Sequence, residues 1–204
     1  VVCDIDSIAH SFHSVVHHEE HVKVREYLVR RLEALGADTV RLFEYKGLEG
    51  PDNKPVRYVF DAVNVLAEFA PSGNVENPAN LLLVAHYDSR YPLPIYTGDT
   101  VSSYGAADDG YGLGVILETM KLALEYREQW KQGVKVLFTD AEELNVKGLK
   151  SMWERNREEF DDVGLVINVE ARGPFGPVLL FETSGGNERI MDLYAKKAKS
   201  PFTN

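Results

Sequence analysis

The chain has 204 residues, 44% of them apolar, a net charge of -10 and one cysteine. The apolar share supports one globular core. The acidity excludes nucleic acid as a partner, which needs clustered Lys and Arg, and Cys3 alone excludes an internal disulfide or a thiolate zinc cluster.

Residues 1–18 carry four of the six histidines and little periodicity. From Glu19 to Leu35 the pattern is helical, with Val24, Leu28, Leu32 and Leu35 on one stripe and Gly36 as a stop. Val40 to Tyr45 predicts a strand, Gly47 to Pro55 a turn, and Val56 to Phe69 a long β-favouring stretch. After a polar loop to Asn80, Leu81 to Ala85 is continuously apolar, as in a strand covered on both faces. The long segment from Tyr87 to Asp108 predicts a functional or disordered loop. Gly110 to Tyr126 predicts a buried helix with Val115, Ile116, Thr119, Met120 and Ala123 on its inner face.

Val134 to Phe138 reads as a buried strand, Glu142 to Glu158 as an amphipathic helix and Leu165 to Val169 as another buried strand. Val178 to Phe181 and Glu188 to Lys199 add a short strand and a final helix. The alternation predicts an α/β fold: a three-layer α/β/α sandwich around a mixed, mostly parallel sheet, in one domain over residues 1–204. No apolar run approaches the roughly 20 residues that span a bilayer, and Val1 begins no recognisable signal peptide. The expectation is a soluble segment of unknown compartment, compatible with a secreted, periplasmic or lumenal parent and with a leader or membrane anchor outside the segment.

Four segments carry the chemistry: LLLVAHYDS (Leu81 to Ser89), YGAADDGYG (Tyr104 to Gly112), VLFTDAEEL (Val136 to Leu144) and LVINVEARG (Leu165 to Gly173). Each ends an apolar run or opens a helix with carboxylates or an imidazole, the layout of a metal site at the carboxyl edge of a sheet. His86 ends a strand, and Asp88 is placed to accept its second ring N–H. Asp108 and Asp109 exceed what a helix N-cap needs. Glu142 and Glu143 open a predicted helix, where the macrodipole alone favours acids. Glu170 ends a predicted buried strand and needs a partner, for which a cation serves. One imidazole among carboxylates suits zinc, or less selectively manganese or cobalt.

His86-Tyr87-Asp88, Gly105-Ala106-Ala107-Asp108-Asp109, Glu142-Glu143 and Asn168-Val169-Glu170 resemble the motifs of the co-catalytic zinc aminopeptidases, the family twenty-eight metallopeptidases. EARGPFGPVLLFETSGGN, from Glu170 to Asn187, is similar to the vacuolar and endoplasmic-reticulum membrane branch of that family. The resemblance implies a zinc-exopeptidase fold and zinc-dependent hydrolysis of peptides, with aminopeptidase activity the first expectation. Glutaminyl cyclases and carboxypeptidases share the motifs, and an inert binding domain on the same fold is a further alternative. It implies that His86, Asp108 and Glu170 bind one ion, and that Asp108 bridges to a second held by Glu143. Glu142 would be the general base, Asp88 would orient His86, and the Asp108–Asp109 peptide would be cis. The family's second ion also takes a downstream histidine, whereas His86 is the last histidine here. The sequence is therefore read as truncated at its C-terminus, with one zinc rather than two.

Two other motifs point elsewhere. His17 and His21 stand one helical turn apart in HHEEH, but a zincin helix needs Glu directly after its first histidine and position 18 is His, so a solvated helix start is the plainer expectation. Gly110, Gly112 and Gly114 follow no strand directly and fit close helix–sheet packing better than dinucleotide binding. No G-x-S-x-G elbow occurs.

Overall fold

The computed structural model describes residues 1–52, 57–73, 75, 79–94, 100–171 and 179–199. They form two compact units, Val1–Arg172 and Gly173–Asn204. The first contains, in chain order, α1 (Val2–Ile8), α2 (His18–Ala34), β1 (Thr39–Gly50), β2 (Tyr58–Phe69), β3 (Asn80–His86), β4 (Leu93–Pro94) and β5 (Thr100–Val101). A kinked turn over Ala106–Gly110 then leads into α3 (Tyr111–Leu124), followed by β6 (Val134–Thr139), α4 (Lys147–Arg155) and β7 (Val163–Asn168). The second unit holds α5 (Glu188–Lys197), none of whose residues is buried.

Five strands form a mixed sheet in the order β1-β2-β6-β3-β7. β1 and β2 form a long antiparallel hairpin, β2 runs antiparallel to β6, and β3 lies parallel to both β6 and β7. Parallel pairings are thus half of those within this sheet, a smaller share than expected, because the hairpin contributes two antiparallel ones. The period of two along the central strands separates two cores. Val65, Ala67, Phe69, Leu83, Ala85, Val136 and Phe138 pack against α2 and α3. Leu66, Leu82, Val84 and Leu137 face the other way, onto Tyr45 and Met152 of α4. All six residues of β6 are buried, as a strand covered on both faces requires.

Several expectations shift. The turn predicted from Gly47 begins later: β1 continues to Gly50 through a bulge between Tyr45 and Leu48. There Gly47 takes φ 63° and donates its N–H to Asp61 Oδ1 at 2.8 Å. A short helix, α1, occupies part of the weakly periodic N-terminus. The inner face of α3 is Leu113, Ile116, Leu117 and Met120, while Thr119 is exposed. The strand predicted as buried over Leu165 to Val169 forms as β7, yet Val166 and Ile167 are 54% and 44% exposed. Among the described strands β7 pairs only with β3, and an apolar run does not distinguish an edge from a centre. Val178, the first residue of the short predicted strand, lies outside the described residues, and the final helix ends at Lys197, two residues before the predicted Lys199.

Candidate metal and catalytic site

Parallel register sets the site. Val84 pairs with Asn168, and the Val169 N–H continues the ladder to the Val84 carbonyl at 2.9 Å. His86 and Glu170 therefore leave adjacent strands at the same level. On the other side His86 pairs with Thr139, so Asp140 and the turn after it begin at that edge too. This is the carboxyl end of the parallel strands, where α/β folds build their sites.

His86 is buried, and its Nε2 lies 2.9 Å from Asp108 Oδ1 and 3.7 Å from Glu170 Oε1. One ligand atom from each of these three residues falls within 4.8 Å of the others, and no other such group of acids, His or Cys occurs among the described residues. The two carboxylates are partly open, with side chains 43% and 36% exposed, so the group is rooted in the core and faces outward. Burial alone would lower the imidazole pKa, but Asp108, Asp88 and Glu170 outweigh it and hold it well above its usual range. One imidazole nitrogen and two carboxylate oxygens converging in this way fit a divalent cation of the zinc type.

Asp108 and Asp109 divide their tasks. The peptide between them is cis. Asp108 faces His86, whereas Asp109 is buried and its Oδ1 accepts the Gly112 N–H at 3.0 Å, capping the entry to α3. A Cβ on Gly112 would meet that oxygen at 2.3 Å, so the position excludes a side chain. Burial pushes the Asp109 carboxyl up to about 8.

Asp88 links the histidine to the glutamates. Its main-chain carbonyl lies 3.0 Å from His86 Nδ1, nearer than its carboxylate at 3.4 Å. The carboxylate instead accepts the N–H groups of Glu142 at 2.9 Å and Glu143 at 3.2 Å. Asp88 thus orients the imidazole mainly through its backbone. The glutamates do not open a helix: α4 starts only at Lys147, and Ala141, Asn145 and Val146 take φ of 53°, 68° and 59° in a tight turn. Burial raises the Glu142 carboxyl pKa, with Asp88, Glu170 and Asp108 adding to it. Burial, then the charge of Asp108, pushes Glu143 up to about 7.

Residues 64–204 match the family model of peptidase family M28. The chain belongs to peptidase family M28. A vacuolar membrane protease from Penicillium rubens is 28% identical over 229 residues, covering 98% of this chain and 21% of the relative. One from Saccharomyces cerevisiae is 28% identical over 219 residues, covering 98% and 20%. The chain thus spans about a fifth of the length of these curated relatives. Among solved structures, a leucine aminopeptidase precursor from Bacteroides thetaiotaomicron superposes with a TM-score of 0.69 at 22% identity, covering all of this chain and 74% of that one. A Porphyromonas gingivalis glutaminyl cyclase gives 0.68 at 19% identity, covering 96% and 69%. At these identities the likeness is one of fold.

Of the residues the M28 resemblance singled out, the structure brings His86, Asp108 and Glu170 together, and ties Glu142 and Glu143 to them through Asp88. Glu143 lies outside the three-residue group. The histidine-rich N-terminus behaves otherwise than expected: His21 is buried, stacked 5.0 Å from the Tyr87 ring, with Nε2 2.9 Å from Asp140 Oδ1. That close contact is an ion pair whose N–H is not aligned as a hydrogen bond. It continues the apolar stripe Val24, Leu28, Leu32 one turn back, a signal present in the sequence. Asn64 was also missed. It is a polar residue in the apolar run of β2, where its Oδ1 accepts the Asp140 N–H and its Nδ2 donates to the Gly148 carbonyl, both at 2.9 Å. Asn64 thereby fastens both ends of the turn bearing Glu142 and Glu143.

Proposed function

We propose that the protein is a zinc-dependent exopeptidase, an aminopeptidase that releases N-terminal residues from peptides. The observation that carries this reading is the convergence of His86, Asp108 and Glu170 within 4.8 Å at the strand ends. These three residues would hold one zinc ion, and Asp108 with Glu143 would offer only a weaker site for a second.

Zinc there would polarise the scissile carbonyl and make water a better nucleophile. Glu142, raised in pKa by burial and by its acidic neighbours, takes the proton from the attacking water and passes it to the leaving amine. Asp88 holds the backbone of both glutamates, so the base keeps its position through the exchange. His86, fixed by the Asp88 carbonyl at Nδ1, would offer Nε2 to a bound ion.

The relatives are vacuolar membrane proteases, and among the described residues no helix is long and apolar enough to cross a membrane. We place this segment on the lumenal side of a membrane-attached protease, with peptides as its partners. The test is product analysis on unblocked and N-acetylated peptides. Free N-terminal residues, lost with a chelator and restored by zinc, are expected from the unblocked peptides only. Release of C-terminal residues, or formation of pyroglutamate from N-terminal Gln, would replace aminopeptidase with carboxypeptidase or glutaminyl cyclase.

A further inference from the structure

We propose that Arg90 is a displaceable counter-ion for Glu143, occupying the side of the site that a second divalent cation would take. The inference rests on the metallopeptidase reading above. The Glu143 side chain is only 10% exposed, and its Oε1 is buried with no hydrogen-bond partner. Its Oε2 lies 3.9 Å from Arg90 Nη1. Among the described residues Arg90 is the only Lys or Arg this close to any of Asp88, Asp108, Glu142, Glu143 or Glu170.

The geometry of the pair determines its role. At 3.9 Å the guanidinium is beyond hydrogen-bond reach, so the attraction is electrostatic and the forked donors of Arg are not engaged with the carboxylate. The Arg90 side chain is 47% exposed, so it can turn into water without leaving a hole in the core. Glu143 has no such freedom, because its side chain is largely buried on a backbone that Asp88 holds. A buried carboxylate with one orphaned oxygen, feeling the charge of Asp108, needs a positive partner. Arg90 meets that need loosely, and a divalent cation bridging Asp108 and Glu143 would meet it better. Arg90 and a second cation therefore compete for one carboxylate, and Arg90 sets how readily that cation enters.

The experiment is a zinc titration against a competing chelator, with the protein, Arg90→Gln, Arg90→Lys, Glu143→Gln and the Arg90→Gln/Glu143→Gln double variant. Arg90→Gln should leave the first equivalent within about twofold and tighten the second by about fivefold, the upper end for an exposed ion pair. Arg90→Lys, which keeps the charge, should fall between the two, and the double variant should lose the gain. A second equivalent unchanged in Arg90→Gln, or a gain that survives Glu143→Gln, overturns the role of Arg90. If no variant binds even the first equivalent, the zinc reading falls as well.

Discussion

His21 Nε2 lies 2.9 Å from Asp140 Oδ1, and both side chains are buried. The contact joins α2 to the end of β6, two residues before Glu142. Asp140 Oδ2 accepts the Val63 N–H at 2.8 Å and the Tyr87 hydroxyl at 2.9 Å, and Oδ1 accepts the Ala141 N–H at 2.7 Å. Burial would raise the Asp140 pKa, but His21 and these donors outweigh it and lower it. A helix distant in sequence thus supports the turn that bears the glutamates.

Removing one partner should cost more than the pair contributes, because the other charge is left buried. His21→Ala should therefore destabilise the fold by about 3–5 kcal/mol, read as a lowered urea midpoint. A variant as stable as the parent would show that Asp140 finds another partner.

The same pair sets a pH dependence. Burial lowers the His21 pKa, and Arg25, His13 and His17 also oppose its charge, but Asp140 and Asp88 outweigh them and raise it. The His21 contribution is fully present below the unfolded value of about 6.5 and is lost as pH rises through the raised folded value. Asp140, with its lowered pKa, contributes above about 3.8 and loses that contribution in acid. The stability gap between the parent and His21→Gln should be widest between those limits and narrow on the alkaline side. Urea titrations of both proteins across that range measure it, and a gap that widened with alkali would contradict the charged pair.

Gly148→Ala tests the other end of the turn. A Cβ there would meet the Asp140 carbonyl oxygen at 2.1 Å and Asn64 Oδ1 at 2.6 Å. The backbone must move, at a cost of about 1–3 kcal/mol, and zinc-dependent turnover should drop with it. Thermal unfolding and peptide hydrolysis on the same preparation would show whether the two losses travel together.

Glu142→Gln should reduce hydrolysis by about 100-fold to 10,000-fold, the usual worth of a positioned base, while zinc content stays at the parent level. His86→Ala should do the reverse first, losing zinc in a direct metal assay. If Glu142→Gln turns over normally, the base is another residue.

The strand ends were legible because apolar runs stop where chemistry begins: Leu81 to Ala85 before His86, and Leu165 to Val169 before Glu170. The turn after β6 was hidden. Ala141, Asn145 and Val146 adopt left-handed φ although none is glycine and only Asn favours it, so residue types gave little notice, and the amphipathic pattern of α4 extended backwards over Glu142. His21 was concealed by its setting, since a polar residue near a helix start reads as solvated and its partner Asp140 is 119 positions away. Arg90 carries no pattern at all; only the fold brings it to Glu143.

Asp88 fixes the imidazole with its backbone and both glutamates with its carboxylate. The proposed metal ligand and the proposed base thus rest on different atoms of one residue. A side-chain substitution at position 88 should release the turn that bears the glutamates while the main-chain carbonyl still faces His86, so base placement can be altered there with metal affinity largely kept.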